Sequence, residues 1–159
     1  MSHSLVLTRI GDAHIAFALS EVREVLLDVL TTPVPLSPSV ISGLVNLRGE
    51  VLTAVDGPTL LGLPSRPPPG GPAHLVLRVE GQGRSLVVDE VLAVMSGVDH
   101  PLRPPPPTLS PRLREVCAGV LLIGDQLAIL INGGPLVKLI LHAAAAPAEP
   151  RRAEAGEPE

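Results

Sequence analysis

Short aliphatic runs of about five or six residues, rich in Val, Leu and Ile, recur along the chain, and each is closed by a glycine or acidic turn. Leu5 to Ile10 and Ile15 to Leu19 flank Gly11-Asp12. Leu75 to Val79 and Leu86 to Val88 flank Gly81-Gln82-Gly83, and Val120 to Ile123 and Leu127 to Ile131 flank Gly124-Asp125. Runs this short and this β-branched predict strands, and the turns between them predict three hairpins. Small strand groups with frequent turns point to one or two compact barrels rather than to a βαβ layout.

One stretch fits two periods. Val22, Val25, Leu26, Val29 and Leu30 recur at helical spacing behind Ser20, which sits where an N-cap would. The same residues form a dense β-prone run that Thr31-Thr32-Pro33 would end equally well. A first helical turn is expected, and the remainder stays open between helix and strand.

Proline punctuates the rest. Of its 19 copies, 14 cluster at Pro33 to Pro38, Pro64 to Pro72 and Pro101 to Pro111. Lacking an N–H and disfavouring helix in the residue before it, proline marks these runs as extended connectors. Residues 143–159 contain only Ala, Pro, Glu, Arg and Gly. With no large apolar side chain to offset the entropy of ordering, that stretch is expected to be a disordered tail.

Composition narrows the function. The 159 residues carry 12 Lys+Arg against 16 Asp+Glu, a formal charge of −4. With no basic stripe, and Phe17 as the sole aromatic residue, there is nothing to neutralise phosphates or stack on bases, so nucleic acid is not an expected partner. The core must be built from Val, Leu, Ile and Ala. Cys117 has no partner for an intramolecular disulfide and the opening residues do not read as a signal peptide, so a cytoplasmic location is expected. The most apolar region, Val116 to Leu141, is interrupted by Asp125, Asn132, Gly133-Gly134-Pro135 and Lys138, so no direct membrane insertion is expected.

The sequence holds no catalytic template. His3, His14, His74, His100 and His142 are scattered, with no helical metal spacing and no Cys pair, and read as surface histidines, so neither metal nor cofactor is expected. Gly81-Gln82-Gly83 lacks the third glycine and the helix of a dinucleotide fingerprint. Asp89-Glu90, the only adjacent acidic pair, would point to opposite faces of a strand and reads as a solvent-facing strand end. An enzyme would need a site around Asp89, Glu90 and His100. What packing does not explain is the stretch from Ile41 to Asp56, where Gly43 and Gly49 bracket Asn46 and Arg48 inside an aliphatic run. Glycine in a strand pattern signals a bulge, a bend or a close approach, and the Arg must find a carboxylate or reach solvent.

That stretch, Gly43-Leu44-Val45-Asn46-Leu47-Arg48-Gly49 ending at Asp56, resembles the hallmark of the CheW family of chemotaxis coupling proteins. Further matches follow in the family's order: Phe17 to Val25, Val87 to Val94, and Gly119 through Gly124-Asp125-Gln126 to Asn132. The likeness covers about residues 4–141. It implies a mostly β, CheW-like fold over residues 1–142: two five-stranded SH3-like barrels packed side by side with short helical turns. The first would span about residues 13–66, the second about 4–12 plus 73–141. It also implies a short helical turn near Ser20 to Val22 followed by a strand.

Functionally, the resemblance implies an adaptor without catalysis that joins the cytoplasmic tip of chemoreceptors to the regulatory domain of a CheA-type histidine kinase, alongside other CheW-like proteins in an array. Carried over by position, a receptor groove would involve Val22, Val25, Gly43, Val91 and Val94, a charged pair Glu24 and Arg48, and motif support from Asn46, Gly49 and Asp56. The chain departs from the family pattern at Gly57-Pro58 and Gly133-Gly134-Pro135, at barrel ends that resemble kinase-facing surfaces. Two other readings are a scaffold for a non-motility pathway and a generic β-barrel peptide-binding module.

Overall fold

A computed structural model describes residues 4–78, 83–96 and 100–145 of the chain. In order these form β1 (Ser4–Ile10), β2 (Ala13–Ala18), a 3₁₀ turn (Leu19–Glu21), β3 (Val22–Leu26), β4 (Ile41–Leu47), β5 (Glu50–Asp56), α1 (Gly57–Leu61), β6 (Ala73–Leu77), β7 (Arg84–Val88), β8 (Glu90–Ser96), β9 (Leu102–Arg103), α2 (Pro111–Val116), β10 (Cys117–Ile123), β11 (Gln126–Ile131) and α3 (Gly133–Ala145).

The fold is mostly β, in two sheets. One has six strands in the order β8-β1-β2-β11-β10-β9, the other five in the order β3-β6-β7-β5-β4. The expected strand pairs β1/β2, β6/β7 and β10/β11 are all antiparallel neighbours. Gly11 and Gly124 take the left-handed φ of +59° and +61° that their tight turns require. The turn assigned to Gly81-Gln82 lies outside the described residues.

The chain changes sheets at the 3₁₀ turn and again at Asp89, so the division differs from the expected one. β2 pairs with β1 in the six-stranded sheet, while β6 and β7 belong to the five-stranded sheet. A two-residue hairpin keeps β2 beside β1, and the parallel pairing of β5 with β7 draws the β6/β7 hairpin across. The helical spacing after Ser20 is not realised: Leu19–Glu21 makes one 3₁₀ turn, and β3 then pairs with β6. Beyond β3, Thr32 bridges to Leu44 of β4, which draws the ends of the five-stranded sheet toward each other.

Each sheet buries residues on both of its faces. One core cluster runs from Val6, Ile15 and Phe17 through Val22, Leu75 and Leu86 to the helical Leu60, Leu113, Leu136 and Ile140. Alternate residues face the other way: Val45, Leu52, Val76 and Val87 form a second cluster, and Leu7, Ala16 and Ala128 a third. Two-sided burial explains why the strands read as continuous aliphatic runs instead of alternating ones. Phe17, 1% exposed, is the one aromatic in a core otherwise made of aliphatic residues.

One expectation is corrected by long-range packing. α3 is a 13-residue helix that runs three residues into the stretch expected as a disordered tail; residues 146–159 lie outside the described part. Leu136 and Ile140, four apart, bury its inner face, and Pro135 stands in the first turn, where no N–H is needed. Gly133 leaves the space taken by the Glu21 carboxylate, which would overlap any Cβ there, and its N–H donates to that carboxylate. Likewise Gly57 lies against the Val87 carbonyl with no room for a side chain, and Pro58 stands in the first turn of α1. Both departures from the family pattern are thus absorbed into helix starts.

Candidate functional site at two sheet edges

β3 ends the five-stranded sheet and β8 the six-stranded one, so among the described residues each lacks a strand partner on one side. Such edges present unpaired backbone groups and attract partners. The side chains along them are aliphatic and accessible: Val25 is 37% exposed, Leu27 68% and Val94 59%, with Leu92 also exposed. Between the start of β8 and the chain leaving β3 lies a cleft of about 330 Å³ lined by Leu27, Asp28, Pro68, Pro72, Glu90 and Val91 among others. Asp28 takes a φ of +55° there, a conformation that Asp tolerates better than most residues.

The β4/β5 hairpin stands beside β3. Arg48 and Gly49 are its two turn residues, with φ of +50° and +89°, the signature of a type I′ turn. Asn46 Oδ1 accepts a hydrogen bond from the Gly49 N–H at 3.0 Å, which secures the turn. The Arg48 guanidinium is thereby held out to donate to Glu24 Oε1 of β3 at 2.6 Å. Arg23 adds a second link, donating to Glu50 Oε1 at 2.9 Å. Hydrogen bonding to Arg23 holds the Glu50 carboxyl below its usual range, and the same contact raises the Arg23 pKa. Four charges of alternating sign therefore tie an edge strand to the far hairpin of its own sheet.

The residues proposed for the groove separate into two kinds. Val25 and Val94 are exposed, and Val91 is half-buried on the cleft wall. Val22, at 4% exposure, lies in the main core. Gly43 is also buried, at a register shift in β4 with φ of +148°, and a Cβ there would overlap the Thr32 carbonyl. Its contribution is to let the chain after β3 close onto β4. Asp56 caps α1, accepting from the Thr59 N–H at 3.1 Å. The motif's two glycines are thus a close approach and a turn, the uses its pattern suggested.

Two assignments change. Asp89 is not a solvent-facing strand end: at 2% exposure it sits where the chain passes from β7 to β8. Its carboxylate accepts from the N–H of Gly11 at 2.7 Å and of Arg66 at 2.5 Å, and from Ser65 Oγ at 2.7 Å. Burial alone would raise its pKa, but these donors and the nearby Arg9 outweigh it and hold the carboxyl below its ordinary value. His74 is buried too, with Nδ1 3.1 Å from Ser85 Oγ, and burial depresses its pKa. Leu27, Asp28, Arg23 and Glu50 are site residues that motif reasoning did not assign. Only the alternation of charge at Arg23-Glu24 and Arg48-Gly49-Glu50 signalled the network. Among the described residues no group of His, Cys, Asp and Glu could hold a metal, and no helix is long and apolar enough to cross a membrane.

Comparison with known proteins gives a consistent picture. Residues 4–140 match the family described as the CheW-like domain. The chain is 31% identical over 128 residues to a chemotaxis protein CheW of Rhizobium meliloti (strain 1021), covering 80% of this chain and 83% of that one. It is equally similar, over the same shares, to a probable chemotaxis protein CheW of Rhizobium etli. Among solved structures it resembles the scaffolding protein TtCheW from Thermoanaerobacter tengcongensis, with a TM-score of 0.72 and 26% identity over 83% of this chain and 90% of that one.

Proposed function

The chain belongs to the CheW-like domain family, whose members are scaffold adaptors and not enzymes, and we propose that it couples the cytoplasmic tip of chemoreceptors to the regulatory domain of a CheA-type histidine kinase. The observation that carries this reading is the exposure of Val25 on edge strand β3, beside the Glu24–Arg48 pair, and of Val94 on edge strand β8. A receptor helix laid along these edges buries its apolar stripe on Val25, Leu27, Leu92 and Val94, while the charged pair sets its orientation. Val22 and Gly43 act behind that surface, one by packing and one by close approach.

With neither Trp nor Tyr in the chain, the usual aromatic anchors are missing and each contact is modest. An array of receptors, kinases and further CheW-like proteins offsets this by multivalency, and places the protein at the cytoplasmic face of the membrane through its partners. Gly57-Pro58 and Gly133-Gly134-Pro135 begin α1 and α3, which supports a kinase contact at these ends of the fold.

The test is to mix purified chain, receptor tip and kinase regulatory domain and follow co-elution by size-exclusion chromatography. Binding to both partners is expected, with Val94→Asp and Arg48→Glu each losing the receptor tip while keeping the wild-type melting temperature and the kinase. Binding to neither partner overturns the coupling role, and unchanged receptor binding in both variants overturns the site.

A further inference from the structure

β9, the last strand of the six-stranded sheet, pairs Leu102 with Leu121 and Arg103 with Val120 of β10, then runs directly into Pro104, Pro105, Pro106 and Pro107. Proline fixes its own φ at about −65° and drives the residue before it into extended backbone. Pro104, Pro105 and Pro106 are under both restrictions. Every described peptide bond is trans. The run is therefore a polyproline II helix, left-handed with about three residues per turn. On such a helix Pro104 and Pro107 share one edge, Pro105 and Thr108 a second, and Pro106 lies on the third. Pro106 is half-buried, whereas Pro104, Pro105, Pro107 and Thr108 are exposed, so two edges of the helix face away from the fold. Both ends are tied down. β9 holds the start. At the other end the Pro106 carbonyl accepts from the Leu109 N–H at 3.3 Å, Arg114 donates to the Pro107 carbonyl, and Ser110 caps α2. A segment fixed in this way has little freedom left to lose when a partner grips it.

From this geometry we propose that residues 104–107 are a docking segment for a partner domain with an aromatic-lined groove of the kind that grips polyproline II helices. The proline rings of the two outer edges seat between the groove's aromatic side chains, and the carbonyls, which have no partner within such a helix, accept hydrogen bonds from its polar groups. Leu102, exposed just before the run, extends the apolar strip. The occupant is a different protein and not a second copy of this chain. An aromatic groove needs several accessible rings, and the sole aromatic here, Phe17, is buried in the core. The segment thus supplies what the rest of the chain lacks, a preformed ligand for aromatic anchors carried by someone else.

The test titrates the full chain into a purified WW domain and follows the domain's tryptophan emission, to which this chain, having no Trp, adds nothing. An SH3 domain is the second probe. Saturable one-to-one binding to at least one of them is expected, with a decaproline peptide displacing the chain. Pro104→Ala/Pro107→Ala, on an exposed edge, should weaken binding at least about tenfold, whereas Pro106→Ala, on the half-buried edge, should change it by less than about threefold. Both residues of the double variant are exposed, so it should keep the wild-type circular dichroism spectrum; displacement of the wild-type chain by decaproline decides the matter should it unfold. No saturable binding to either domain, binding that decaproline does not displace, or equal weakening by Pro106→Ala and the double variant overturns the proposal.

Discussion

Replacing Asp89 tests how the two sheets are joined. The residue occupies the single position between β7 and β8 and draws together the β1/β2 turn through Gly11 and the loop at Ser65-Arg66. In Asp89→Ala the N–H groups of Gly11 and Arg66 lose their acceptor in a site that is 2% exposed, and Arg9, 3.7 Å away, loses a carboxylate. Each buried donor left unsatisfied costs about 1–3 kcal/mol, so the variant should lose roughly 3–5 kcal/mol. At about 2–4 °C per kcal/mol for a chain of this size, the melting temperature should fall by on the order of 10 °C. Asp89→Asn separates hydrogen bonding from charge. Its carbonyl can accept from Gly11 and Arg66 while its amide donates to Ser65, so it should lose only about 1–2 kcal/mol. The sign with pH follows from the depressed pKa. The folded protein holds this carboxyl ionised more tightly than the unfolded chain does, so its stabilisation is complete above the ordinary value of 3.8 and is lost as pH falls below it. Thermal melts of wild type and Asp89→Asn should therefore differ by a constant amount from neutral pH down to about pH 5 and converge in stronger acid. An alanine variant melting within about 2 °C of wild type, or an asparagine variant as damaged as alanine, would refute the reasoning.

Three further outcomes are expected. Gly43→Ala forces a Cβ against the Thr32 carbonyl at a φ of +148° and should cost about 1–3 kcal/mol in chemical denaturation, with the Thr32–Leu44 bridge amides losing hydrogen-exchange protection. Val22→Ala, in the core, should lower stability by roughly 2 kcal/mol, whereas Val94→Ala at the exposed edge should change it by less than about 0.5 kcal/mol; equal effects in thermal melts would contradict the division between packing and surface residues. Burial raises the Glu21 pKa, and the Gly133 N–H only partly opposes this, so the charged carboxylate is disfavoured in the folded state. Stability should rise as pH falls through the raised value toward the ordinary 4.5, and Glu21→Gln should be at least as stable as wild type at neutral pH, with the difference vanishing in acid.

Much of the local structure is legible in the sequence because its causes are local. Gly11 and Gly124 turn the chain at left-handed φ within a few residues of the strands they join, and aliphatic runs of strand length mark the strands that supply the core. The motif around Gly43 and Gly49 announces a close approach and a turn for the same reason, and its resemblance to a known pattern supplied the Glu24–Arg48 pair that the structure brings to 2.6 Å. Tertiary structure alone decided what depends on residues far apart in sequence. Which sheet each hairpin joins was set by the pairing of β5 with β7 and of β2 with β11. Val22 went to the core and Val25 to the surface because β3 docks on β6, although one spacing pattern treats them alike. Asp89 and His74 were buried by partners 78 and 11 residues away, and α3 formed through a Gly-Gly-Pro start because Glu21 reaches across to its first N–H. Backbone preference acts over a few residues, whereas burial and charge pairing act across space, and the adaptor's surface is built from the second kind.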